Sequence, residues 1–399
     1  MKTQKQNENF LNRSSVSNAC GACASADPID DEPPSGQGTC HQVYDDTFQF
    51  KIPPHTVTNI ETLSKYIPMA PEEKESLKKV NDIFRIGITP HYFSLISDVK
   101  DMKDPIRMQC VPDVREIDFD EAEFMDPLGE EKSSICSCLV HRYPNRALLI
   151  VTSKCFMYCR HCTRKRIWKD GMYKTPMSEI EKAVEYIKKT ESIREVIVSG
   201  GDPFTLTTSE LNTILKKLSV IKHLKVIRIG TRTPVVFPER INGELCVMLE
   251  QFDNIWVNVQ FNHPREITPE SEEACRKLQK CGIPMNNQAV LLKGINDNPA
   301  VMKELCEKLM EIRVRPYYLF QCDPVVGTSH FRTSVYAGVN IIEKMRGHTS
   351  GMAIPVFVVD GIDAKGKIPV SPNYVVSQSE DSIILRNYKF ETFEYKNPK

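Results

Sequence analysis

Six short apolar runs, separated by amphipathic stretches, place the strongest constraint on how this chain can fold. The runs are rich in β-branched residues and cover residues 147–152, 195–199, 224–230, 255–261, 288–292 and 316–320. Between them, apolar side chains recur at helical spacing, as at Ile180, Val184 and Ile187. Continuous apolar runs are typical of strands covered on both faces, and helical crossovers between strands indicate a parallel sheet. The pattern predicts an α/β fold of six βα units, a partial (β/α)6 barrel of the TIM type.

The first part of the chain has a different composition. Residues 1–45 are rich in Ser, Asn, Gly, Asp and Pro and contain few large apolar side chains, which predicts a mobile N-terminal extension. Cys20, Cys23 and Cys40 lie in it. Either these cysteines belong to a disordered tail or they form an auxiliary metal or redox site, and the sequence alone does not assign their role.

The remaining regions flank the predicted barrel. Residues 46–135 predict an N-terminal helical region, with one helix beginning at Pro71. The barrel is expected over residues 136–350, followed by a short C-terminal segment and tail over 351–399. The strongly acidic stretch 115–132 predicts a solvated surface strap and not a binding site.

Charge and hydropathy exclude some classes of partner. Among 399 residues, 52 basic and 52 acidic side chains cancel, so we expect no nucleic-acid partner. No apolar run approaches the roughly twenty residues that span a bilayer, and the N-terminus has no apolar signal-peptide core. The sequence therefore predicts a cytoplasmic protein without a membrane partner, in which the 14 cysteines are thiols or metal ligands.

Three cysteines follow the first apolar run on one short loop. They occur in Lys154-Cys-Phe-Met-Tyr-Cys-Arg-His-Cys-Thr-Arg-Lys-Arg166. Three thiolates can hold three irons of a 4Fe–4S cluster, and the fourth iron can then chelate the amino and carboxylate groups of S-adenosylmethionine. One electron from such a cluster splits the sulfonium and yields a 5′-deoxyadenosyl radical. The alternative is a structural zinc site that includes His161, although no second cysteine pair follows.

Further polar motifs follow the other predicted strands, where the functional groups of a barrel gather. These motifs are Ser199-Gly-Gly-Asp-Pro203, Gly230-Thr-Arg-Thr-Pro234, Gln260-Phe-Asn-His-Pro264 and Gln321-Cys-Asp323. Together with the cysteine loop, His141-Arg-Tyr-Pro-Asn-Arg146, Gly347-His-Thr-Ser-Gly351 and Pro372-Asn-Tyr374, they resemble the lysine 2,3-aminomutase family of radical S-adenosylmethionine enzymes. The resemblance covers about residues 50–390.

The resemblance implies pyridoxal 5′-phosphate as a second cofactor. Lys367 occupies the position of the lysine that binds it covalently, and Arg142, Arg146 and Gln288 match positions that contact it. Lys365 is the rival lysine, because Gly-Ile-Asp-Ala-Lys-Gly replaces the glycine run that usually precedes the family's lysine.

The family positions that contact the substrate have matches too. Arg164 matches the arginine that pairs with the substrate carboxylate, while Asp323 and Asp360 match the two carboxylates that hold the distant ammonium of lysine. Both aspartates follow apolar runs, and a buried aspartate normally needs a cationic partner. Two aspartates would repel the side-chain carboxylate of glutamate.

Contacts to S-adenosylmethionine are implied for Gly200, Gly201, Asp202 and Gln260, although the last replaces a histidine common in the family. The family's best-known members also have a zinc site closed by C-terminal cysteines. Here the tail has no cysteine and Asn298 stands at the counterpart position, so we expect no such zinc.

The resemblance implies an isomerase that converts L-lysine into β-lysine. The alternatives left open are a 2,3-aminomutase for arginine, ornithine or glutamate, a radical S-adenosylmethionine enzyme of another reaction type, and a non-catalytic cluster protein. We also expect an electron donor of the flavodoxin or ferredoxin type and a homo-oligomer.

Overall fold

A computed structural model describes residues 50–168 and 171–398 of the chain. The extension predicted over 1–45, with Cys20, Cys23 and Cys40, lies outside the described residues. Within the described ranges, no helix is long and apolar enough to cross a lipid bilayer.

Ten strands form one sheet in which neighbours along the chain are neighbours in space. Strands β3 to β9 run parallel, while β1, β2 and β10 pair antiparallel at the two edges. The strands are β1 Ser134–Cys136, β2 Leu139–Tyr143, β3 Arg146–Thr152, β4 Glu195–Gly200, β5 Val226–Gly230, β6 Ile255–Val259, β7 Met285–Leu291, β8 Arg315–Gln321, β9 Val356–Gly361 and β10 Gly366–Pro369. The six apolar runs coincide with β3 to β8, which confirms the α/β class and the parallel order.

The two faces of the parallel strands differ in a way that the apolar runs did not indicate. On β4, Val196 and Val198 are fully buried, whereas Ile197 and Ser199 line a cavity. Because successive side chains of a strand point to opposite faces, one face of the sheet packs on helices and the other borders this cavity. The prediction that both faces are covered was therefore wrong for the inner face.

Helices follow the parallel strands, and several of them begin where a polar side chain accepts a hydrogen bond from the first turn. Thr207 caps α6 together with Glu210, and Asn298 caps α10. The helices are α1 Ile60–Leu63, α2 Pro71–Ile83, α3 Pro90–Ser94, α4 Arg107–Cys110, α5 Met177–Lys189, α6 Thr208–Ser219, α7 Thr233–Val236, α8 Gly243–Leu249, α9 Pro269–Lys280, α10 Pro299–Glu311 and α11 Val335–Met345.

The region before the sheet is less helical than predicted. Helix α2 begins at Pro71 as expected, but α1, α3 and α4 have four or five residues each. The acidic stretch 115–132 is also not a uniformly solvated strap, because Glu116 and Glu130 are buried. Both carboxylates form ion pairs with basic residues of the cysteine loop, which compensate for their burial.

The sheet continues beyond the boundary expected at residue 350. Strand β9 pairs parallel with β8, and β10 pairs antiparallel with β9. Asp360 on β9 and Lys367 on β10 therefore belong to the central sheet. A separate three-stranded antiparallel sheet follows, with β11 Val375–Gln378, β12 Ser382–Arg386 and β13 Thr392–Lys396.

Candidate active site

A cavity of about 390 Å³ opens on the inner face of the sheet. It is lined by side chains from β2 to β10 and from the loops that follow these strands. All fourteen residues that the sequence predicted for cofactor or substrate contacts border it: Arg142, Arg146, Cys155, Cys159, Cys162, Arg164, Gly200, Gly201, Asp202, Gln260, Gln288, Asp323, Asp360 and Lys367.

The cysteine loop lies at the carboxyl end of β3. Cys155, Cys159 and Cys162 are free thiols, partly buried, and each borders the cavity. Burial raises the pKa of Cys155 well above its usual range, and burial together with Cys159 raises the pKa of Cys162 to about 11. Cys155 and Cys162 therefore keep their protons at neutral pH unless a metal binds them.

Two glycines after β4 allow this strand to approach the cysteine loop. A Cβ atom on Gly201 would lie 2.2 Å from the carbonyl oxygen of Lys154, and one on Gly200 would lie 2.4 Å from that of Thr152. Gly200 also has a φ of 123°, which side-chain-bearing residues rarely adopt. The motif is thus required for backbone packing, whatever it contacts in the cavity.

Asp202 connects the loops after β4 and β5. Its buried carboxylate accepts hydrogen bonds from Thr231 Oγ1 at 2.7 Å, from the Arg232 backbone N–H at 2.8 Å and from the Phe204 backbone N–H at 3.0 Å. Burial raises the pKa of Asp202, against the effect of these donors. Protein donors thus occupy much of the carboxylate that was predicted to contact S-adenosylmethionine.

Arg232 is a site residue for which the sequence analysis predicted no role. Its NH1 donates to the thiol of Cys159 at 2.8 Å, and its NH2 donates to the buried carboxylate of Glu266 at 2.7 Å. NH2 also donates to Gln109 at 2.6 Å. The sequence did contain one indication that Arg232 belongs to the site: it follows a predicted parallel strand directly, where the functional residues of a barrel lie.

The cysteine loop is held from outside the cavity by a fully buried carboxylate. Glu116 accepts hydrogen bonds from Arg160 Nε at 2.9 Å and from Lys165 Nζ at 2.8 Å. Burial alone would raise the pKa of Glu116, but the two cations lower it to about 2. Because Arg160 and Lys165 flank Cys162, this triad anchors both ends of the segment that carries it.

Lys367 lies beside an aspartate on the neighbouring strand. Its Nζ is 3.2 Å from both carboxylate oxygens of Asp360, and Arg142 NH2 is 3.2 Å from Asp360 Oδ1. Lys365, the rival lysine, lies exposed in the turn between β9 and β10, outside the cavity lining. The strand register separates the two lysines and places Lys367 opposite Asp360.

Tyr143 joins the two edges of the sheet. Its hydroxyl accepts a hydrogen bond from the Lys367 backbone N–H at 2.9 Å and one from Arg142 NH2 at 3.3 Å. The guanidinium of Arg146 lies 3.8 Å from the centre of the Tyr143 ring. Gln288, on β7, borders the same cavity.

Asp323 differs from Asp360 because it forms no ion pair within the described residues. Its carboxylate accepts a hydrogen bond from Thr163 Oγ1 at 3.0 Å. Burial and the charge of Asp360 raise the pKa of Asp323 to about 7, although Thr163, Lys367 and Arg142 act in the opposite direction. The cavity thus contains a carboxylate that a cation would stabilise in its ionised form.

Arg164 is paired with Glu130 at the opposite side of the cysteine loop. Its Nε and NH2 donate to that carboxylate at 2.6 to 3.0 Å. Glu130 was not predicted as a site residue, because the acidic stretch around it indicated only a solvated surface.

The residues present fit the cofactors expected from the sequence. Three thiols on one loop supply the donor set of a cluster with one iron left free of protein ligands. For pyridoxal phosphate, Lys367 borders the same cavity as two arginines whose forked guanidinium groups suit a phosphate.

The fold and this constellation define a class of enzymes. Residues 149–306 match the radical SAM superfamily, and residues 342–399 match the family described as Lysine-2,3-aminomutase. Streptococcus suis SuiB bound to S-adenosylmethionine is a structural neighbour at a TM-score of 0.42 and 12% identity, over 58% of this chain and 52% of that chain.

Curated relatives are similar over most of the chain. L-lysine 2,3-aminomutase of Fusobacterium nucleatum is 47% identical over 88% of this chain and 82% of its own length. The enzyme of the same name from Clostridium subterminale is 48% identical over 86% of this chain and 82% of its own. The chain belongs to the lysine 2,3-aminomutase family, which implies a 4Fe–4S cluster, S-adenosylmethionine and pyridoxal phosphate as its cofactors.

Relatives with a different substrate in their name are almost as similar. Glutamate 2,3-aminomutase of Clostridioides difficile is 46% identical over 84% of this chain and 78% of its own length. Overall identity therefore does not select the substrate, and the side chains of the cavity have to do so.

Proposed function

We propose that the protein is a lysine 2,3-aminomutase that moves the α-amino group of L-lysine to the β-carbon and forms β-lysine. The observation that carries this proposal is the pair of carboxylates, Asp323 and Asp360, in one cavity. Asp360 forms ion pairs with Arg142 and Lys367, whereas Asp323 forms no ion pair within the described residues. The ε-ammonium of lysine would supply the missing charge.

Charge also separates lysine from glutamate as the substrate. Each charge-assisted hydrogen bond to an ammonium contributes about 1.5–3 kcal/mol, so the two aspartates together favour a cationic side chain by several orders of magnitude in affinity. A second carboxylate in their place would be repelled by both. Arginine and ornithine also end in a cation and remain the closest competitors.

The remaining cavity residues have separate roles in this proposal. Cys155, Cys159 and Cys162 hold the cluster, while Gly200, Gly201, Asp202 and Gln260 border the region of S-adenosylmethionine. Arg142, Arg146 and Gln288 hold pyridoxal phosphate next to Lys367, and Arg164 binds the substrate carboxylate. When bound, the cluster and S-adenosylmethionine supply a radical that removes a hydrogen atom from the β-carbon, and pyridoxal phosphate carries the migrating amino group.

The protein contributes the placement of the reacting groups and the exclusion of water. The hydrogen bond between Tyr143 on β2 and Lys367 on β10 supports a sheet that curls into an open barrel around the cavity. We include this partial barrel in the proposal, together with a flavodoxin-type or ferredoxin-type electron donor, a homo-oligomer and a cytoplasmic location.

An anaerobic assay tests the function. The cluster-loaded protein is supplied with dithionite, S-adenosylmethionine and pyridoxal phosphate, and lysine, arginine, ornithine and glutamate are compared. We expect β-lysine as the main product and a loss of about 10- to 100-fold in kcat/KM for lysine in each of Asp323→Asn and Asp360→Asn. Asp363→Asn, in an exposed turn outside the cavity lining, is the matched control.

Three results of this assay would contradict the proposal. Faster conversion of arginine or ornithine would assign the aspartates to another cationic substrate, and conversion of glutamate would refute the charge argument. The absence of any β-amino acid from a cluster-loaded sample would refute the reaction itself.

A further inference from the structure

We propose that Glu130 is a positioning residue that orients Arg164 for the carboxylate of the substrate. This inference rests on the proposed function, because it concerns how an amino acid is held in the same cavity. The starting observation is that Glu130 is only 5% exposed and nevertheless borders the cavity. A carboxylate at such a place needs cationic partners, and it has two.

The hydrogen bonds of Glu130 determine the orientation of the Arg164 guanidinium group. Arg164 donates from Nε to both carboxylate oxygens at 3.0 Å and from NH2 to Oε1 at 2.6 Å. These bonds occupy one edge of the planar guanidinium. No bond from NH1 to a protein acceptor is found in residues 50–168 and 171–398, so this end of Arg164 is available to a carboxylate in the cavity.

Glu130 is itself held in place from the other side. Arg166 NH2 donates to its Oε2 at 2.6 Å, and Arg166 NH1 lies 3.5 Å from Asp126. Each carboxylate oxygen of Glu130 therefore has a cationic donor of its own. The carboxylate cannot rotate without breaking one of these bonds, and the plane of the Arg164 guanidinium is set before any ligand binds.

Charge supports the same role. Burial alone would raise the pKa of Glu130, but Arg164 and Arg166 lower it to about 2, so the side chain is ionised at neutral pH. With Asp126 and Glu131 included, three carboxylates surround the two guanidinium groups in this cluster. The substrate carboxylate therefore binds an Arg164 guanidinium whose orientation is fixed. The neighbouring carboxylates neutralise the rest of the positive charge in the cluster.

The test compares two ligands that differ only in the carboxylate. L-lysine and L-lysinamide are titrated calorimetrically into the holoenzyme without reductant, so that no turnover occurs. For Glu130→Gln we expect the Kd of lysine to rise by about 10- to 100-fold and the Kd of lysinamide to change by less than about threefold. Glu131→Gln, at an exposed neighbour that also approaches Arg166, is the matched control and should change neither value.

A second variant keeps the inference testable if Glu130→Gln does not fold. Arg166 does not line the cavity, but it holds Glu130. In Arg166→Lys the preference for lysine over lysinamide should fall by about three- to tenfold, because the anchor of Glu130 becomes less rigid. A merely structural role of Arg166 would leave this preference unchanged.

Other outcomes overturn the inference without affecting the proposed function. An equal loss of affinity for both ligands in Glu130→Gln would mean that Glu130 only stabilises the fold. Tighter binding of lysine would mean that Glu130 competes with the substrate for Arg164. The proposed function fails separately, if the unmodified enzyme neither binds lysine nor forms β-lysine.

Discussion

Individual carboxylates illustrate how burial and pairing decide the role of a residue. Glu116, Glu130 and Asp360 are buried next to cations, whereas Asp323 has a hydroxyl donor and no ion pair in the described chain. Glu116 and Glu130 have a lowered pKa of about 2, while that of Asp323 is raised to about 7. The same functional group is thus a structural anchor at two positions, whereas at Asp323 it has the raised pKa that is typical of functional sites.

If Asp323 binds the substrate ammonium as proposed, its raised pKa should make lysine binding dependent on pH. A bound ammonium favours the ionised carboxylate, so binding must release a proton wherever Asp323 is protonated, which is below pH about 7. The Kd of lysine should therefore rise about tenfold for each pH unit below 7 and level off above it. Calorimetry in buffers of different ionisation enthalpy measures the released proton directly.

The same pKa has a consequence for folding. Because the folded-state pKa of Asp323 lies above the usual value near 4, its contribution to the free energy of unfolding falls as the pH rises from about 4 to about 7.

The Asp323→Asn variant tests the pH dependence of lysine binding. In this variant the change of the Kd of lysine below pH about 7 should disappear. A pH-independent Kd in the unmodified protein would contradict the assignment.

At the scale of elements, the turn between β9 and β10 determines which lysine enters the cavity. Asp363 and Ala364 have φ values of 61° and 66°, in the left-handed region that favours glycine. Both residues carry a Cβ atom, so the turn keeps this conformation at the cost of backbone strain.

Relief of this strain is a testable consequence. Ala364→Gly should raise the free energy of unfolding by about 1 kcal/mol, because glycine adopts a positive φ without a clash of Cβ. Gly366→Ala is the opposite control, since Gly366 has a φ of 86°, and it should lower the free energy of unfolding. Denaturant titration measures both, and a destabilised Ala364→Gly protein would show that the turn is not strained.

At the scale of the whole molecule, the two edges of the sheet are joined by few contacts. Tyr143 on β2 binds the backbone of Lys367 on β10, and Arg142 reaches Asp360 on β9. No strand pairing connects these edges within the described residues, where β1 and β10 are the terminal strands. These side chains close the cavity on this side together with a backbone hydrogen bond from the Asp363 N–H to the Pro127 carbonyl oxygen at 2.9 Å.

Removal of the tyrosine hydroxyl tests this closure. In Tyr143→Phe the Lys367 amide loses its acceptor, and we expect its hydrogen exchange to accelerate by about 5- to 15-fold. Tyr336→Phe is the control, because Tyr336 is 76% exposed on α11 and does not border the cavity. Unchanged protection at Lys367 would mean that the Tyr143 hydroxyl does not protect this amide.

Several features of the fold and site were predictable because short segments encode them. The β-branched runs indicated β3 to β8, and the order of strands follows from helical crossovers between parallel strands. The three cysteines occupy one loop, so their proximity needs no tertiary information. The residues matched to the family motifs follow successive strands, and the carboxyl ends of parallel strands meet at one edge of a sheet.

Other features depended on contacts between distant segments. The buried pairing of Glu116 and Glu130 could not be seen in an acidic stretch, because the basic partners lie 34 or more residues later in the chain. The same holds for Arg232, whose bonds reach Cys159 across 73 residues. Composition describes the average of a segment, whereas pairing depends on which side chains meet.

The sequence by itself determined the parallel α/β order and the loop that can hold a cluster, since both result from local spacing and strand-forming propensity. Only the tertiary structure decided that Lys367 and not Lys365 enters the cavity, and that Asp323 forms no ion pair within the part of the chain that the structure describes. These outcomes depend on strand register and on the long-range placement of charge, and the free energy of a buried charge is set by neighbours that the local sequence does not contain.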